Sequence, residues 1–148
     1  VQASIPVMAH LGLTPQSVNA LGGYKVQGKS AEDAQRLVDD ARKLEDAGAF
    51  AILLECVPAA LAAFVRERVS VPVIGIGSGA GCDGQVLVYQ DMLGMYDKMT
   101  PKFVKRFASI GDAMKQAFAA YVEEVKTGRF PAEEHAFSMK DEIIGKLY

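Results

Sequence analysis

The chain has 148 residues, 50% of them hydrophobic and 23% charged, with 16 basic against 18 acidic residues for a formal charge of -2, the mix of one soluble globular domain with its own core. No basic cluster exceeds the scattered Lys102, Lys105 and Arg106, which argues against nucleic acid as a partner, and no apolar run approaches the ~20 residues that span a bilayer, which excludes membrane insertion. The two cysteines, Cys56 and Cys82, form neither a metal-type pair nor a disulfide framework, so the expected compartment is reducing: the cytoplasm.

The start, Val1-Gln2-Ala3-Ser4, has no Met and no basic-then-apolar signal pattern. It runs at once into Ile5-Pro6-Val7-Met8-Ala9, which predicts a buried first strand over 5–9 and further polypeptide upstream. An amphipathic helix follows, capped by Ser30 with Asp33 three residues on. Its apolar stripe is Ala34, Leu37, Val38, Ala41 and Leu44, and Gly48 stops it. The apolar run 50–54 predicts a second strand. Pro58, with Leu61, Phe64 and Val65 on one side, marks a shorter helix, and a third strand is expected over 71–76.

The link to a fourth predicted strand over 85–89 is Gly77-Ser78-Gly79-Ala80-Gly81-Cys82-Asp83-Gly84, with no room for a helix longer than one turn. Beyond it, Thr100 and Pro101 are expected to open a helix with Phe103, Val104 and Phe107 on one face. A break near Ser109-Ile110-Gly111 precedes a second stripe of Met114, Ala117, Phe118, Tyr121, Val122 and Val125. The polar tail after Gly128 ends in a predicted short helix over 140–147. Near-continuous apolar strands alternating with helices belong to a parallel sheet. Its two homes are a doubly wound open sheet and part of a (β/α)8 barrel, and periodicity does not choose between them.

In either fold, functional residues gather at the carboxyl ends of strands, where His10, Glu55 and the glycine loop all fall. Glu55 ends an otherwise apolar run, and a buried polar group without a partner costs on the order of 2–7 kcal/mol. It is either a general base or a structural acid paired with a Lys or Arg. His10 is placed where the first strand becomes a loop. With strands about 4.8 Å apart, it and Glu55 can serve one pocket without touching. Cys56 reads as a buried thiol and His135 as a surface or contact residue. Gly79-Ala80-Gly81-Cys82-Asp83-Gly84 matches the dinucleotide pattern, but that fingerprint needs a helix at the glycines, and a strand is expected there instead. The loop is therefore a tight strand connection, or a place where backbone approaches a small substrate.

Six blocks in order carry a resemblance over nearly the whole chain. They are His10-Leu11-Gly12-Leu13-Thr14-Pro15-Gln16-Ser17-Val18-Asn19, Gly22-Gly23-Tyr24-Lys25-Val26-Gln27-Gly28, Leu54-Glu55-Cys56-Val57-Pro58, Ile74-Gly75-Ile76-Gly77, Asp83-Gly84-Gln85-Val86-Leu87-Val88 and Phe130-Pro131-Ala132-Glu133-Glu134-His135. Together they resemble the ketopantoate hydroxymethyltransferase family. The resemblance implies a (β/α)8 TIM barrel of the phosphoenolpyruvate and pyruvate-binding type. Residues 1–100 would supply about strands five to eight of that single domain, and 101–148 its final helices and tail.

It also implies a reaction, transfer of a hydroxymethyl group from 5,10-methylenetetrahydrofolate to 3-methyl-2-oxobutanoate, on the path to pantothenate and coenzyme A. Glu55 matches the family's catalytic base and His10 a histidine contacting substrate. Magnesium would be held by acidic residues of the amino-terminal half of the barrel, with no metal ligand in this chain, so the chain alone is expected to be inactive. The implied partners are the oxo acid, the folate, the missing half, and further copies in a homo-oligomer, commonly a decamer. The competing readings are a related magnesium-dependent carbon–carbon lyase or mutase on the same barrel, and a non-catalytic assembly fragment.

Overall fold

A computed structural model describes Val1 and residues 3–147. Its elements run β1 (Met8–Gly12), a 3-10 turn (Pro15–Ser17), α1 (Ala31–Asp46), β2 (Ala51–Glu55), α2 (Ala59–Arg66), β3 (Val73–Ile76), β4 (Gly84–Gln85), α3 (Tyr89–Met92), α4 (Ile110–Lys126), a second 3-10 turn (Glu133–His135) and α5 (Asp141–Ile144). The four strands pair in parallel in the sequential order β1-β2-β3-β4.

That order agrees with the second of the two folds left open by the sequence, part of a (β/α)8 barrel. A doubly wound sheet reverses direction and places helices on both faces. Here each crossover advances one strand the same way, and the fixed hand of the βαβ unit then lays the helices on one side. Leu37, Val38 and Ala41 of α1, with Ala62 and Val65 of α2, close over Ala9, Ile52, Leu54 and Val73. The alternate strand residues His10, Leu53 and Ile74 face the other way and stay half-exposed. The sheet is packed by helices on one face and open on the other, as an arc of a barrel wall would be.

The first helix forms where its local signals place it. The Ser30 hydroxyl accepts from the Asp33 N–H at 3.0 Å and donates to the Asp33 carboxylate at 2.7 Å, and Arg36 closes on Asp33 from one turn along. At the other end Gly48 takes φ +93°, the left-handed conformation that glycine adopts without a Cβ penalty. In α2, Leu61 and Val65 turn inward, but Phe64 is exposed with the Arg68 guanidinium 3.0 Å over its ring centroid.

Four expected elements differ. The first strand lies three residues later than 5–9, because pairing begins where the Phe50 N–H donates to the Val7 carbonyl at 3.0 Å; Pro6 before it has no N–H to add, and Ile5 is exposed. The fourth strand is only Gly84–Gln85. It lies at the sheet edge, leaving Val86 and Val88 exposed, and Tyr89 already starts α3. The helix expected from Thr100 is absent: the Phe107 N–H reaches back to the Met92 carbonyl at 2.8 Å and Arg106 bonds Tyr96 O and Thr100 Oγ1. These cross-segment bonds replace the helical ones. Helix begins at Ile110, where Gly111 packs on the Gly94 carbonyl so closely that a Cβ would lie 2.7 Å from it. The final helix is one turn, Asp141–Ile144, not 140–147. No helix among the described residues is long and apolar enough to cross a membrane.

Candidate active site

Residue Glu55 is the last residue of β2, paired with Gly12 on one side and Ile76 on the other. Strand alternation puts its side chain on the open face of the sheet with His10, two residues before Gly12. His10 Nε2 lies 3.1 Å from Glu55 Oε2, with the side chains 27% and 16% exposed. His10 is therefore inside the strand, not in the loop after it, and the two groups touch where the sequence suggested neighbours without contact. Their approach is off the hydrogen-bond line, so the sheltered Nε2 makes no aligned bond.

No Lys or Arg among the described residues lies within ion-pair distance of Glu55. Its neighbour is a histidine, on the sheet face that the helices leave uncovered.

The backbone around Glu55 is tightly latched. Its carbonyl accepts from the Leu13 N–H at 2.8 Å, and Cys56 bonds Ile76 O through its N–H and accepts from Gln27 N–H, both at 2.9 Å. Cys56 turns the chain sharply, at φ +51°, a left-handed conformation that costs a non-glycine residue of order 1–3 kcal/mol. Ser78, fully buried, spans this turn: its hydroxyl donates to the Leu54 carbonyl at 2.8 Å and accepts from the Val57 N–H at 3.3 Å. Cys56 is half-buried, not buried, and burial first, then the Glu55 charge, pushes its thiol pKa up. A thiol so placed is a poor nucleophile.

The glycine loop is a strand connection. Asp83 accepts from the Val73 N–H at 2.9 Å and from Arg66 Nε at 2.8 Å, tying the loop to the start of β3, and β4 follows directly. No helix opens at these glycines. At the opposite, carboxyl end of β2 and β3 lies an open cleft of about 570 Å³, lined by Val26, Cys56, Gly77, Leu87, Lys102 and Phe103. The Phe103 ring rests on Gly77, where a Cβ would lie 2.7 Å from it. Nothing local to Lys102 or Phe103 places them here, since both fall in the helix expected from Thr100. Ser78 had one signal, its position between two glycines. His135 is remote, its Nδ1 accepting from the Ala132 N–H at 3.1 Å and its ring 5.0 Å from Phe130.

Among the described residues no three His, Cys, Asp or Glu side chains converge. A hard divalent cation takes six or more oxygen ligands, several supplied by carboxylates, so the residues of this chain do not by themselves fit the magnesium that the resemblance implies.

A parallel α/β sheet covered by helices on one face, with a carboxylate at the end of β2 beside a histidine within β1, is the arrangement of a barrel-type chain. The comparisons with known proteins narrow this. The family model described as ketopantoate hydroxymethyltransferase matches residues 1–133, and the chain belongs to that family. It is 62% identical over 148 residues to a protein of Clostridium novyi (strain NT), 64% to one of Carboxydothermus hydrogenoformans and 61% to one of Enterococcus faecalis, each named 3-methyl-2-oxobutanoate hydroxymethyltransferase. Each match covers 100% of this chain and 54% of the relative, so the chain spans about half the length of the curated relatives it matches.

Proposed function

We propose that this chain is the carboxyl-terminal part, about strands five to eight and the final helices, of a (β/α)8 enzyme that transfers a hydroxymethyl group from 5,10-methylenetetrahydrofolate to 3-methyl-2-oxobutanoate. The observation that carries the reading is Glu55 itself: a sheltered carboxylate at a strand's carboxyl end, beside His10 and without a Lys or Arg partner among the described residues. The chemistry needs such a group. Glu55 removes the proton from C3 of the oxo acid, and the resulting enolate carbon bonds to the methylene carbon of the folate. The folate carbon–nitrogen bonds break, and water supplies the hydroxyl oxygen. The C3 proton and one proton of that water end on the two folate nitrogens, giving 2-dehydropantoate and tetrahydrofolate. His10 sits where it can contact the oxo acid and hold it against Glu55.

The positive charge that stabilises an enolate is contributed from outside this chain, as is magnesium, by the amino-terminal half that also covers the open sheet face and its edges. The exposed apolar residues of α4, Phe118, Tyr121, Val122 and Val125, fit a polypeptide that buries them within the complete barrel or against other copies, the decamer included. Two free cysteines fit a cytoplasmic enzyme. The test is exchange of the C3 hydrogen of 3-methyl-2-oxobutanoate with deuterated water by the complete protein, followed by NMR. Glu55→Gln abolishes exchange on this reading; exchange at the wild-type rate would show that Glu55 is not the base.

A further inference from the structure

The open cleft beside Glu55 has a chemistry the oxo acid does not need. The oxo acid is small, and its C3 must lie against the Glu55 carboxylate on the inner face of the sheet. The cleft begins one residue further on, at Cys56. Besides Cys56 it is lined by the apolar side chains Val26, Leu87 and Phe103, by Gly77, Gly79 and Gln85, and by Lys102. Val26 is held over the strand ends because the neighbouring Gln27 N–H bonds the Cys56 carbonyl at 2.9 Å. Lys102 is exposed and has no ion-pair partner among the described residues.

We infer that this cleft takes the reduced pteridine of the one-carbon donor, with Lys102 pairing the carboxylate of its glutamate tail. The inference rests on the proposed reaction and adds to it the place of the second substrate. A flat heteroaromatic ring suits a cleft lined by the apolar side chains Val26, Leu87 and Phe103, an aromatic ring among them. The volume, about 570 Å³, is within the roughly 300–1,000 Å³ of small-molecule sites. One unpaired cation in that lining matches an anionic tail. The position also suits the reaction, since the cleft starts at Cys56, the residue that follows the proposed base.

The test uses the complete protein and Lys102→Gln, a change at an exposed side chain that leaves the core intact. Two readings are taken: KM for each substrate in the transfer reaction, and calorimetric titration of tetrahydrofolate in the absence of oxo acid. The expected result is a rise of about tenfold in the folate KM and in the tetrahydrofolate Kd, the loss of one charge-assisted contact. The oxo-acid KM and the folate-free exchange at C3 stay at wild-type values. An unchanged folate Kd, or an equal rise in both KM values, overturns the assignment. If the wild-type protein shows no C3 exchange, the reaction assigned to Glu55 falls. The titration still decides the cleft, because it needs no turnover.

Discussion

Gly12 lies so close against Glu55 that any side chain on it would collide with the Glu55 carbonyl oxygen, and its φ of +88° is one that other residues rarely adopt. The end of β1 is thereby shaped around the backbone of the residue proposed as base. Gly12→Ala would push its Cβ into that carbonyl and to 2.8 Å from Val57 Cγ2. We expect a loss of about 2 kcal/mol or more from the left-handed conformation and the clash together, read as a lower midpoint in urea denaturation of the complete protein. An unchanged midpoint would mean that the strand ends are looser than described.

Residue Ser78 secures the other side of the same turn. Ser78→Ala strips a fully buried hydroxyl that serves Leu54 O and Val57 N, leaving the Val57 N–H without that acceptor. The expected cost is about 1–3 kcal/mol, measured by denaturation. Ser78→Thr keeps the oxygen and tests whether the hydrogen bonds or the space matter.

For His10 the prediction concerns binding. With Nε2 3.1 Å from the Glu55 carboxylate, His10→Ala removes a polar neighbour of both base and substrate. The oxo-acid KM is expected to rise about tenfold while the folate KM holds. Steady-state kinetics with each substrate varied in turn separates the two, and a change confined to folate would place His10 elsewhere.

The pH dependence of stability has an identified contributor in Asp83. Hydrogen bonds from the Val73 N–H, then from Arg66, hold its carboxyl below the ordinary 3.8. A carboxyl depressed on folding stabilises the protein above its unfolded value, and this contribution is lost as pH falls through the lower folded value. Asp83→Asn should therefore destabilise near neutrality and flatten the acid limb below 3.8, where wild type loses the same contribution. Thermal melts from pH 7 to 2 follow this directly.

How much of this was legible beforehand varies with how local the cause is. The boundaries of α1 follow from Ser30, Asp33 and Gly48, each acting within a few residues of itself. The apolar runs also revealed that strands exist near 50–54 and 71–76. Their phase was harder: 5–9 is the more apolar stretch, and only pairing with β2 moved the strand to Met8–Gly12. The region from Thr100 misled for the same reason, since its apolar spacing suits a helix but its N–H and guanidinium groups found partners near Met92 and Tyr96.

By itself the sequence determined a parallel α/β chain, a family, and a carboxylate at the end of its second strand. Those are matters of composition, local periodicity and contiguous motif. The tertiary structure decided that the strands advance in one direction with helices outside, and that His10 and Glu55 meet on the open face. It also decided that Lys102 and Phe103 come to the cleft beside them. Each depends on register or on a contact between residues tens of positions apart, set by the hydrogen-bond pairing of whole strands and segments, which no local pattern encodes.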